Sequence, residues 1–377
     1  MLDLTHVLAG PFAAYQLAVL GADVIKVEPV NAPDATRGRG LDDQRNAAGL
    51  GLTYETQGGN KRAIALDLEK AKGAEVLRRL IADSDVFLEN YRVQALAALG
   101  FGYDAVQQLK PDIIYCSLTG FGQRGPRASV NAYDNVIQAA SGIMARSGDQ
   151  KTAASYVDYS AGMNAAFAIA AALFRRGRDG KGTHIDCAML DCALMLAGPE
   201  VTGHLSEAAG PEKPAEAGIG CYDTADGKLM LGAFNFRQNK RLWDLLDEPA
   251  LAALETWPDL WGAATVMRQV LARKLLSRSA QDWMNIFHEA GIPAERVRGL
   301  DEALADPQLA HRRLLQRPPG DSGRETTVPV AAFDFLEDGP RLDSPAPAFG
   351  EHTDEILKGI GYSSAEIDAF RSEGAVA

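Results

Sequence analysis

The sequence predicts an α/β protein in two parts, an open and largely parallel sheet followed by a smaller α+β domain. Short β-branched runs alternate with helical stretches from Leu2 to Leu118, the punctuation expected of a parallel sheet. That rhythm changes near Gly198-Pro199, after which a stretch rich in Ala, Glu, Gly and Pro leads into a hairpin and several helical segments. The 377 residues also exceed what one compact core usually holds.

Taken in order, Leu2-Asp3-Leu4 reads as a strand, 11–20 as a helix closed by Gly21, and 23–28 as a second strand, together a βαβ unit. A loop from Asp34 to Gly51 follows, carrying Arg37, Arg39 and Arg45. Residues 60–68 form a third strand with a basic entry, Asn60-Lys61-Arg62. An amphipathic helix at 71–82, a strand at 86–88, a helix at 104–109 before Pro111 and a strand at 112–118 complete the alternation. Sheets of this kind bind ligands beyond the C-terminal ends of their strands. Lys61, Arg62, Arg92 and Arg124, at or just after strands, are therefore candidates to hold phosphates, with ordinary solvated surface charge as the alternative. The later elements are a small-residue helix over 161–173, predicted to be buried, a Gly- and Pro-rich linker over 203–218, and a hairpin over 220–232 turning at Asp226-Gly227. Helices at 240–246, 264–276 and 280–290, short strands after Gly320 and a helix at 353–359 follow.

Composition narrows the function. A formal net charge of −12 argues against general nucleic-acid or anionic-membrane binding, yet leaves room for a small anion held by local Arg and Lys. The four cysteines form no CxxC pair and have no His at metal-ligand spacing, so they read as reduced core or near-core thiols of a cytoplasmic protein without a metal site. The N-terminal run has neither a basic n-region nor an apolar h-region, and the 161–173 helix falls short of a bilayer span.

The segment Ser155-Tyr156-Val157-Asp158 ends a β-prone run one turn before the small-residue helix. A carboxylate there lies near backbone N–H groups and the positive end of the helix, which makes Asp158 either a reacting group or a plain N-cap. Gly120-Phe121-Gly122-Gln123-Arg124-Gly125 matches G-x-G-x-x-G after a strand, but Pro126 follows and no helix opens. A ligand-side glycine loop fits that context better than a dinucleotide fingerprint. Tyr133-Asp134-Asn135 reads as a helix start and His184 as a strand-edge histidine.

These segments together resemble the family III CoA-transferases over essentially the whole chain. The likeness is carried by 2–11, 20–28, Asn60-Lys61-Arg62, 85–91, Gly120-Phe121-Gly122, Tyr133-Asp134, Gly180-Lys181-Gly182 and Gly350-Glu351-His352-Thr353-Asp354. The resemblance implies a Rossmann-like large domain built from both termini and an interlocked homodimer with each active site between subunits. Its boundaries are then 1–200 and 326–377 for the large domain, 219–300 for the small α+β domain, and linkers at 201–218 and 301–325. It also implies a start several residues upstream of Met1.

For chemistry, the resemblance implies that Asp158 is a nucleophile that takes CoA as an aspartyl thioester, passing it from an acyl-CoA to a carboxylic acid. Backbone N–H groups near the start of the Asp158 helix are expected to hold the oxyanions. CoA and acyl-CoA are substrates, with no permanently bound cofactor. Positions matching the CoA-binding pattern are Val7, Leu8, Leu66, Asn90, Tyr91 and Tyr133, joined on charge or position by Lys61, Arg62, Arg92 and Gly122. Pro29 and Glu69 stand where formyl-CoA transferase has basic groups, and the tetraglycine loop of that enzyme is absent, so oxalate specificity does not carry over. A related α-methylacyl-CoA racemase pairs a His with the Asp. Tyr133 occupies that position here, and a phenol is a poor base at neutral pH.

Overall fold

The computed structural model describes residues 1–206, 216–319 and 326–377. The chain forms two compact units, Met1–His204 with Leu309–Ala377, and Leu205–Gln308.

The first unit is built on six parallel strands: β1 Leu2–Leu4, β2 Val24–Glu28, β3 Lys61–Ala65, β4 Val86–Glu89, β5 Ile114–Thr119 and β6 Thr183–Ala188. Their spatial order is 3-2-1-4-5-6, the doubly wound order in which the direction of winding reverses between β1 and β4. The strands β1 to β5 are short and largely buried on both sides, so their residues alternate between two cores. Leu2, Leu4, Phe87 and Tyr115 face one way, toward the Ala71–Ala82 helix and two C-terminal helices, Thr353–Gly359 and Ser364–Ser372. Val24, Val86, Leu88, Ile114 and Cys116 face the other way, toward the Ala9–Ala18 and Tyr156–Asp179 helices. Both ends of the chain thus close on this sheet, and Leu66 bridges to Val376.

Several expectations are corrected here. The sheet has a sixth strand, β6, whose alternation of exposed His184 and Asp186 with half-buried Ile185 and Cys187 is too polar to read as a core strand. The Asp158 helix begins at Tyr156, not near Ala161, and runs 24 residues. It is long and apolar enough to cross a membrane, but its small-residue face, Ala161, Ala165, Ile169 and Ala172, packs into the core. Its other face is open, with Phe167 75% and Phe174 73% exposed, so it is not a fully buried helix. All four cysteines are free, and Cys221 is exposed rather than near-core. Where a 201–218 linker is predicted, the helix Gly198–Leu205 occupies the start, and 207–215 lie outside the described residues. The predicted 301–325 linker holds the helix Pro307–Arg312 and a short strand, Leu315–Gln316, paired with Val328–Pro329; its last part, 320–325, lies outside the described residues.

The second unit carries the expected hairpin, β7 Ile219–Asp223 and β8 Lys228–Gly232, extended by a third antiparallel strand, β9 Ala294–Arg296. Helices Phe236–Leu245, Trp257–Leu275 and Ala280–Glu289 begin at Asn235, Thr256 and Ser279, each of which accepts a hydrogen bond from an N–H of its own first turn. Leu229, Leu231, Trp243, Leu271 and Phe287 form the core between sheet and helices.

The Tyr156–Asp179 helix comes close to the Ala9–Ala18 helix at Gly162. A Cβ on Gly162 would stand 2.6 Å from the carbonyl oxygen of Ala9 and 2.9 Å from Phe12 Cδ1. Only glycine lets the two helices meet at that distance, so Gly162→Ala is expected to destabilise the fold by ~1–3 kcal/mol. Calorimetry checks this; an unchanged melting midpoint would show that the helices separate freely.

Candidate active site

Because winding reverses between β1 and β4, the chain leaves a crevice beyond their C-terminal ends, the place where open α/β sheets bind ligands. A cavity of about 320 Å³ lies there. Its walls include Val7 and Leu8 after β1, Asn90, Tyr91 and Arg92 after β4, Thr119 and Gly120 at the end of β5, and Tyr133 and Asp158.

Asn90 ties the two lips of the crevice together. Its side-chain oxygen accepts from the His6 N–H at 2.9 Å and its amide donates to the His6 carbonyl at 2.8 Å. Val7 lies in the left-handed region, φ 73°, a conformation that costs a β-branched L-residue about 1–2 kcal/mol. Its N–H donates to the Asp34 carboxylate at 3.2 Å, and its carbonyl accepts from Gln57 Nε2 at 2.6 Å. After that turn, the amides of Leu8 and Ala9 at the entry of the Ala9–Ala18 helix have no partner among the described residues. Arg92 has no ion pair among the described residues.

Asp158 is the third residue of its helix and is not the cap. Ser155, at the N-cap position, makes no side-chain hydrogen bond to the helix. Asp134 does that work from another helix, Asp134–Ala140: one oxygen accepts from the N–H of Val157 at 2.9 Å and of Asp158 at 3.2 Å. Its other oxygen accepts from Gln138 Nε2. The helix-start N–H groups expected to hold an oxyanion are therefore already engaged. Burial and then the neighbouring charge of Asp134 push the Asp158 carboxyl up to about 7. The nearby Tyr159 phenol is raised too, by burial and by Asp158.

Other predicted site residues lie away from this cavity. Lys61 opens β3, at the N-terminal edge of the sheet, and is buried. Its ammonium donates to Asp3 at 2.9 Å and to the Pro11 carbonyl at 2.8 Å. Arg62 pairs with Asp23 and Glu355 on the same edge. Leu66 is fully buried in the core beneath the C-terminal helices. Gly122, φ 85°, turns the loop beyond β5, where the next N–H, of Gln123, donates to Asp186. Lys61 and Arg62 stand at the entry of their strand and not at its exit beside the cavity.

Two cavity residues carried no signal in the sequence. His6 lines the wall next to Val7, and burial, reinforced by Lys26, lowers its pKa. The Thr119 hydroxyl is buried and has no hydrogen-bond partner among the described residues. Asp134 was visible only as a helix-start residue; that it caps a different helix depends on tertiary packing.

The family model for CoA-transferase family III matches residues 1–353. The chain belongs to CoA-transferase family III. It is 33% identical over 377 residues to a succinate–glutarate CoA-transferase of Agrobacterium fabrum, covering 95% of this chain and 93% of that relative. It is 32% identical to the human succinyl-CoA:glutarate CoA-transferase, covering 100% of this chain and 88% of the human protein. Among solved structures, a CAIB/BAIF family protein from Brucella suis superposes with a TM-score of 0.79 at 29% identity, over 95% of this chain and 97% of that one. This family III member is thus an enzyme, a CoA-transferase, and acyl-CoA thioesters and carboxylic acids are the substrate classes of its family.

The raised Asp158 pKa has a consequence for stability. The folded state binds this proton more tightly than the unfolded chain does, so ionising Asp158 in the fold is unfavourable. The penalty is absent below the ordinary carboxyl range, grows as pH rises, and is complete above about 7. Asp158→Asn removes it. The variant is expected to be more stable than the wild type at pH 8 by ~2–4 kcal/mol and equal to it at pH 4, as read by denaturant unfolding at the two pH values. A variant no more stable at pH 8 would contradict the raised pKa.

Proposed function

We propose that this CoA-transferase moves CoA from an acyl-CoA donor to a carboxylic acid acceptor through an aspartyl-CoA thioester on Asp158. The observation that carries the reading is a half-buried carboxyl of raised pKa in a cavity at the switch point of the sheet. The Asp158 carboxylate attacks the thioester carbonyl, the C–S bond breaks, and CoA leaves as thiolate, giving a mixed anhydride. The thiolate then attacks the Asp158 carbonyl and expels the donor acid as carboxylate, leaving the aspartyl-CoA thioester. The acceptor carboxylate runs both steps in reverse, and Asp158 is regenerated.

Val7, Leu8, Asn90, Tyr91, Arg92 and Tyr133 are the residues proposed to receive CoA, since all of them line the cavity. The unpartnered amides of Leu8 and Ala9 replace those of the Asp158 helix as candidates for the oxyanion. Two of the relatives are named for succinate and glutarate, so short dicarboxylates are the first acceptors to try. The test is to incubate the protein with acyl-CoAs, trap with hydroxylamine or borohydride, and map the product. The label is expected on the peptide containing Asp158, and Asp158→Ala is expected to lose turnover by at least about 10³-fold. An Asp158→Ala variant that turns over normally would rule out this route.

The enzyme is further proposed to be an interlocked homodimer. Support comes from the open apolar face of the Tyr156–Asp179 helix, Phe167 and Phe174, and from Met195, 72% exposed on the Met189–Leu196 helix. Light scattering behind size exclusion is expected to report twice the chain mass at all working concentrations; a stable, active monomer would remove the shared-site picture.

A further inference from the structure

We propose that Asp34 is a positioning residue for the CoA-transfer reaction, its carboxylate latching Val7 in the left-handed conformation that shapes the cavity wall. The inference rests on the reading of Asp158 given above. It starts from a conflict between residue and conformation: Val7 is β-branched, yet it holds φ 73° in the wall of the cavity that contains Asp158. Valine does not hold that conformation unless its surroundings over-determine it.

The surroundings are built for that purpose. Both Asp34 oxygens accept from the Val7 N–H, at 3.3 and 3.2 Å. Gln57 donates to the Val7 carbonyl at 2.6 Å, so the residue is gripped on both sides. Asp34 in turn cannot swing away, because it accepts from the Thr36 N–H at 3.0 Å and from the Thr36 hydroxyl at 2.7 Å. The Lys26 ammonium, 3.2 Å from Asp34, also donates to the carbonyl of Thr5, two residues before Val7. One buried cation therefore holds both the latch and the chain entering the turn. Glu28 completes the frame by accepting from the Asp34 N–H at 3.0 Å while paired with Arg37.

Burial alone would push the Asp34 carboxyl up, but Lys26 and the Thr36 hydrogen bonds outweigh it and hold it below the ordinary range. The charged groups facing it are Lys26, Glu28 and Arg37, with His6 beyond, and the latch therefore stays closed through the neutral range. The Asp34-Ala35-Thr36-Arg37 run, which reads in the sequence as a basic loop, is thus the inner support of the crevice, and Arg37 is spent on Glu28.

Asp34 also serves as the counter-ion of Lys26, so its loss alone proves nothing about Val7. A double-mutant cycle separates the two roles, since glycine occupies the left-handed region freely and needs no latch. Asp34→Ala is expected to lower kcat about tenfold, the scale of one unsupported left-handed residue, with KM for acyl-CoA changed less than about threefold. In a Val7→Gly background the same Asp34→Ala change is expected to lower kcat by less than about threefold. Equal penalties in both backgrounds, or a penalty confined to KM, would overturn the latch. If Asp34→Ala does not fold, Asp34→Asn goes through the same cycle under the same criterion. Asp158→Ala is assayed alongside: turnover surviving in it sinks the transfer reading, whereas its loss combined with an uncoupled cycle sinks the latch only.

Discussion

The site depends on which carboxylate caps the Tyr156–Asp179 helix. A helix start attracts negative charge, and an Asp that accepts from those N–H groups is held ionised with its lone pairs engaged. Asp134 takes that place from outside the helix, bonding the amides of Val157 and Asp158. Asp158 is thereby left one step inside the first turn, with no backbone donor to stabilise its charge and a second carboxylate beside it. Burial raises its pKa, the charge of Asp134 adds to that, and its carboxyl lines the cavity. Had Asp158 been the cap, its pKa would have moved the other way and its nucleophilicity with it.

A second set of charges works underneath. Asp3 with Lys61, Lys26 with Asp34, and Glu28 with Arg37 are all buried between β1, β2, β3 and the loop after β2. Buried pairs of this kind add little net stability over apolar packing, but removing one partner strands the other, so the set enforces a single arrangement. Lys61 shows the balance: burial and then the nearby Lys26 act against its charge while Asp3 supports it, and its pKa is lowered on balance. All three cations are thus paired inside the protein.

The alternation of β-branched runs and helices was enough to place five of the six strands of the large sheet and the hairpin of the second unit. Element type follows from local pattern, and the pattern here is strong. Among the strands that escaped, Thr183–Ala188 and Ala294–Arg296 lie at sheet edges, where one face is polar and periodicity fades. Asp158, Val7, Leu8, Asn90, Tyr91 and Tyr133, named through the resemblance, and Arg92, named on charge and position, line one cavity. Asp34, Gln57 and Asp134 were not legible as site residues, because each acts on the backbone of a residue far away in sequence, and no spacing rule encodes such a contact.

The raised pKa of Asp158 also bears on the direction in which the proposed anhydride collapses. Two carbonyls are open to the CoA thiolate. Attack at the acyl carbon returns the starting thioester and must expel Asp158; attack at the Asp158 carbon goes forward and expels the donor acid. The better leaving group is the weaker base. A donor acid that departs into water ionises in its ordinary range, two or three units below about 7, so in the proposed route such a donor leaves more readily than Asp158 does, and collapse favours aspartyl-CoA. The same basicity makes the Asp158 carboxylate a stronger nucleophile in the first step. Its counterweight is that part of the resting enzyme is protonated at neutral pH, which ties the rate to the one group near Asp158 that sets its proton affinity beyond burial, the carboxylate of Asp134.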